Sequence, residues 1–200
     1  MSQPQLSPTD LQSLESTKGE YSQGERALLL GLAHDSILSA LENREIPLDP
    51  PSPHLAESRG AFTSLYLRGE LRGCVGYVLP VSSVYRAVAD TARAAAFEDT
   101  RFYPVKLEEA RDLQIELSIL SPPMPTDPDA VEVGRHGLLI SMAGYRGLLL
   151  PQVPIEQHWD RVTFLEQTCR KAGLPRDAWR HGAKVETFKA EVFGEKSRNF

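Results

Sequence analysis

The chain has 200 residues, 41% hydrophobic and 24% charged, with a formal net charge of -5. That length can bury one substantial core or two intimate subdomains, and the acidic balance leaves no basic footprint for nucleic acid. No apolar stretch approaches the roughly 20 residues that span a bilayer, and two cysteines are too few for a disulfide framework, so a membrane role is excluded and a reducing cytoplasm is expected.

Residues 1–20 mix Ser, Pro, Gln and Asp, without the basic-then-apolar plan of a signal peptide, and are expected to form a flexible lead-in. A single domain is expected over 21–195 and a short tail over 196–200. Ser22 and Glu25 make a capping-box pair. Behind them Leu29, Ala33, Ile37 and Leu41 recur about one turn apart, which predicts an amphipathic helix ending by Asn43. Pro47, Pro50, Pro51 and Pro53 make the stretch 46–59 a surface connection. From Gly60 the period becomes two. Residues 61–67 read as a strand, Arg68-Gly69-Glu70 as a tight turn, and Leu71 onward as the returning strand.

A second helix, capped by Ser82 or Ser83 and rich in alanine, is predicted to run to about Phe97 and to pack closely on a sheet. A loop over 98–104 leads to one helical turn at Leu107–Ala110, then to an alternating strand over 113–120 that the proline cluster at 122–125 stops. Short strands are predicted over 131–134, 137–142 and 146–150. A third helix is predicted after Pro154, with Trp159, Phe164, Leu165 and Cys169 on its apolar side and Gly173 as its stop. A final strand is predicted over 184–193. Hairpins and few helices, with no βαβ rhythm, predict an α+β fold of mostly antiparallel sheet with about three main helices. No Walker loop, dinucleotide fingerprint or metal-spaced histidine set appears, so no cofactor or metal is assigned.

The chemistry concentrates in Leu71-Arg72-Gly73-Cys74-Val75-Gly76. Simple alternation along a strand puts Arg72 and Cys74 on one face. A guanidinium beside a thiol favours the thiolate, the nucleophilic form. Cys74 is therefore the candidate nucleophile; the alternative is a small packed residue among glycines that admit a neighbouring backbone. Arg72 is the candidate binder of a small anionic ligand, or else a partner of Asp99, Glu116 or Glu70. Asp99 and Arg101, in a loop flanked by Phe97, Phe102 and Tyr103, are further ligand-binding candidates, as are Gly73 and Gln152; structural roles for the loop charges and for Gln152 compete with that reading. Cys169 is assigned to packing.

The hexapeptide resembles the signature of the AMMECR-one domain family, and so do 97–102, Gly147-Leu148-Leu149-Leu150-Pro151-Gln152-Val153 and Thr168-Cys169-Arg170-Lys171-Ala172-Gly173-Leu174. Val75 stands where isoleucine is usual and Thr100 where proline is frequent. The resemblance implies an α+β fold of two closely packed subdomains with the cysteine motif facing the groove between them. It also implies, for prokaryotic members, association with Memo-like and radical-SAM proteins, and no agreed reaction. Two functions follow. One is a cytosolic ligand-binding or catalytic protein acting through Cys74. The other is a non-catalytic accessory module in which the hexapeptide serves the fold.

Overall fold

A computed structural model describes residues 19–195. The expected lead-in therefore lies almost wholly, and the tail entirely, outside the described residues. Three long helices and two single turns accompany two four-stranded antiparallel sheets, each with its own core. No helix among the described residues is long and apolar enough to cross a membrane.

Helix α1 (Gln23–Leu41) starts at the expected capping box: the Ser22 hydroxyl accepts from Glu25 N–H and the Glu25 carboxylate accepts from Ser22 N–H. Strands β1 (Gly60–Leu67) and β2 (Glu70–Tyr77) form the predicted hairpin. Its turn is only Arg68-Gly69, both at positive φ, the backbone that matches the twist of the flanking strands. Helix α2 (Val84–Phe97), capped by Ser83, lies on the inner face of this sheet. Thr63 and Thr91, both fully buried, bridge sheet and helix through hydroxyls 2.8 Å apart, and the Ser36 hydroxyl of α1 donates to Ala89 O of α2 at 2.7 Å. After the turn α3 (Leu107–Ala110), strand β3 (Leu113–Leu120) pairs with the far side of β1.

The chain then leaves the first sheet. Strands β4 (Met124–Pro125), β5 (Gly137–Met142) and β6 (Tyr145–Leu149), the turn α4 (Gln152–Glu156), helix α5 (Arg161–Lys171) and strand β7 (Lys184–Phe188) build the second subdomain. Strand β8 (Ala190–Gly194) returns to pair with β3, which gives the orders β2-β1-β3-β8 and β4-β7-β5-β6.

Three local expectations are corrected. Residues 131–134 form no strand: after the 3₁₀ turn Pro128–Ala130 the chain is irregular at 131–132 and turns over 133–135. The third helix is two, since the chain turns at His158, at positive φ, and restarts at the Asp160 cap. The single strand predicted over 184–193 is split at Lys189, whose N–H donates to Ser121 Oγ and whose carbonyl accepts from Ser121 N–H. One alternating run therefore serves both sheets.

Glycines permit the closest layer contacts. A Cβ on Gly73 would overlap the carbonyl oxygen of Ala95 in α2, and one on Gly147 would overlap the backbone of Ala172 at the end of α5. Gly73→Ala is accordingly expected to cost about 1–3 kcal/mol through overpacking. Gly31→Ala, on an open stretch of α1, is expected to add about 0.5–1 kcal/mol. Urea unfolding at neutral pH measures both.

Candidate functional site

Strand β2 is an edge strand, so alternate backbone groups along it face away from β1 without a strand to meet them. At Cys74 the loop after α2 supplies the partners. Asp99 Oδ2 accepts from Cys74 N–H at 2.9 Å, and Arg101 Nη2 donates to Cys74 O at 3.4 Å. Asp99 and Arg101 are themselves joined by three hydrogen bonds, Arg101 Nε to Oδ1 at 2.9 Å, Nη2 to Oδ2 at 2.7 Å and the Arg101 backbone N–H to Oδ1 at 3.2 Å. The bonds from the Arg101 guanidinium, helped by the Cys74 and Arg101 amides, hold the Asp99 carboxyl far below the usual carboxylate range against the opposing effect of burial. The loop is aimed here because Gly73 lets the last turns of α2 settle onto β2.

Arg72 is placed differently from the sequence expectation. Leu65 pairs with Gly73 and Tyr66 with Leu71, so Arg72 is the extra residue of a β-bulge and the simple alternation with Cys74 fails. Its guanidinium turns to the loop and α3. It forks onto Glu109 at 3.2 and 3.0 Å and donates to the carbonyls of Tyr103 at 2.8 Å and Pro104 at 3.4 Å. The pair is mostly buried, with side chains 16% and 26% exposed, and the Arg72 bonds lower the Glu109 carboxyl. The acid that meets Arg72 is thus Glu109, not Asp99, Glu116 or Glu70. A groove of about 950 Å³ runs beside this pair, bordered by Arg101, Tyr103 and Lys106.

The Cys74 sulfur points to the outer face of the first sheet, half-buried, and accepts a hydrogen bond from Ser64 Oγ at 3.4 Å. The register sets Cys74, Ser64 and Glu116 in one row across β2, β1 and β3. Tyr66 lies next to this row; burial, then the Glu116 carboxylate and Cys74, push its hydroxyl above the usual tyrosine range. Ser64 and Tyr66 were not singled out by the sequence, and Glu116 was named there only as a possible partner of Arg72. Their only signal was polar alternation along two strands, which shows its meaning once the register is known.

The other candidates do not converge on this sulfur. Gly73 faces the helix layer, where it serves packing. Gln152 is exposed on α4 and borders a separate groove of about 450 Å³ with Arg135, Glu156 and Val192. Val192 belongs to β8, three strand spacings from β2, or about 14 Å. Cys169 is fully buried in the second core, where desolvation raises its thiol.

Comparison with known proteins identifies the domain. The AMMECR1 family model matches residues 30–193. The chain belongs to the AMMECR1 family. A protein of Thermofilum pendens is 41% identical over 198 residues, covering 88% of this chain and 92% of its own. One of Aquifex aeolicus is 41% identical over 178 residues, covering 84% and 91%. The crystal structure of an uncharacterised Pyrococcus horikoshii protein superposes with a TM-score of 0.72 at 40% identity, covering 84% of this chain and 90% of that one. In AMMECR1 terms, the separated motifs of this chain meet in pairs: 71–76 joins 97–102 through Asp99, and 147–153 joins 168–174 where Gly147 packs on Ala172.

Asp99→Ala is expected to lower stability at neutral pH by about 1.5–3 kcal/mol, the cost of removing a charged acceptor. A carboxyl depressed by folding contributes fully above its unfolded value near 3.9. That contribution drains away as pH falls from there toward the folded value. The difference between variant and parent should therefore shrink below about pH 4, as read by urea unfolding across the acid range.

Proposed function

We propose that this protein carries a thiol-dependent ligand site on the outer face of its first sheet, with Cys74 as the reacting group. The observation that carries this reading is the combination at one residue of a half-buried cysteine on the outer face and a backbone fixed on its free side. Asp99 and Arg101 hold the Cys74 backbone, and the Ser64 hydroxyl donates to the sulfur, which fixes the direction in which it points. A nucleophile on an immobilised strand meets its substrate without reorganising, which is the structural requirement for efficient attack. In this reading Arg72, with its fork filled by Glu109, holds the loop that fixes Cys74 rather than binding ligand, and Asp99 and Arg101 are positioning residues. Tyr66 and Glu116 complete the polar wall that a ligand would face.

The competing reading, a non-catalytic accessory module, requires an inert Cys74. A chromogenic disulfide probe applied to the native protein below pH 8 separates the two. One thiol should react rapidly, Cys74→Ser should abolish that phase, and buried Cys169 should react only on unfolding. Ser64→Ala should slow the fast phase several-fold without altering the unfolding midpoint. Reaction of Cys74 at the unfolding-limited rate of Cys169 would sink the thiol site.

A further inference from the structure

Between the two subdomains, on the same outer face, lies a cleft of about 380 Å³ that the thiol reading does not use. Phe62 and Val78 of the first subdomain form one wall, and Leu148 and Leu150 of the second form the other. Arg146 and Lys171 border the same cleft. The two cations are brought together by one close approach: Arg146 precedes Gly147, and Gly147 packs against the backbone of Lys171 and Ala172. Both are exposed, and neither has an acidic side chain within ion-pairing distance among the described residues. The chain carries 27 acidic against 22 basic residues, so acids were available to neutralise them.

The cleft also adjoins the sulfur. Phe62 pairs with Gly76, its ring filling the space a Cβ there would take, while the next residue on that face of each strand is Ser64 and Cys74 respectively. Cleft and thiol therefore share a continuous surface.

We infer that this cleft binds a small amphiphilic anion, a carboxylate or phosphate ester with an apolar body, whose charge is held by Arg146 and Lys171 and whose body lies between Phe62 and Leu148. The volume falls within the roughly 300–1,000 Å³ of small-molecule sites, and an apolar lining with a few convergent polar groups is their usual composition. Guanidinium and ammonium together suit an oxyanion. The inference deepens the thiol reading by naming the class of molecule delivered to Cys74, and it rests on that reading only for the delivery.

Calorimetry tests the binding on the Cys74→Ser protein, which lacks the thiol. The probes are 4-phenylbutyrate, phenyl phosphate, the neutral 4-phenylbutyramide and inorganic phosphate. Both aromatic anions should bind saturably, and the amide and inorganic phosphate about tenfold more weakly or worse. Arg146→Gln with Lys171→Gln, two exposed positions, should weaken the anions by about tenfold or more. In the parent protein the bound anions should slow the disulfide probe at Cys74. Absence of anion binding, equal affinity in the double variant, or equal affinity for the amide would overturn the cleft. Binding without protection of a reactive Cys74 would overturn the delivery. An inert Cys74 beside intact, cation-dependent binding would remove the thiol reading and leave the cleft standing.

Discussion

The first subdomain depends on how the free edge of β2 is closed. A strand at the margin of a sheet leaves amide and carbonyl groups that water, another chain or a side chain must satisfy. Here a carboxylate and a guanidinium, already bonded to each other, take the N–H and the C=O of one residue, Cys74. The pair imitates a neighbouring strand for a single residue. Burial works against the Asp99 charge, and the bonds from Arg101 outweigh that cost while Arg101 keeps much of its own guanidinium in water. Fixing that residue's backbone also fixes where the sulfur points, so edge closure and the candidate chemistry are one arrangement seen from two faces of the strand.

The bracket can form only because a helix comes unusually near. Gly73 removes the side chain that would hold α2 away, and the alanine face of α2 removes its counterpart. The same device appears in the second subdomain, where Gly147 admits the end of α5. Each pair of sequence motifs in this chain is thus a glycine on a strand together with the helix terminus or following loop that the glycine lets in. Arg72 and Glu109 then tie α3 to the bulged strand, so the loop carrying Asp99 is anchored on both of its sides.

Much of this was legible from local signals. The Ser22 capping box, the 60–77 hairpin, the alanine-rich helix and the strand over 113–120 each follow from short-range propensity and period, and each is present. What escaped the sequence depends on partners distant along the chain. The bulge that releases Arg72 from the face of Cys74 is a property of pairing with β1, not of the hexapeptide. Glu109 gave no signal as its partner, being one acid among many. The row of Cys74, Ser64 and Glu116 exists only in a particular register. The run over 184–193 kept one alternation while changing sheets, because period two reports burial on one side and is silent about which sheet supplies it.

That change of sheet at Lys189 has a consequence for how the protein is made. β8 is the last strand of the first sheet, yet residues 121–189 separate it from its neighbour β3. As the chain emerges from the ribosome, the first sheet must wait with one edge of β3 unpaired while the whole intervening module is translated. Completion of the first core thereby waits on the second subdomain, and disruption of β8 would injure the half of the molecule that was born first.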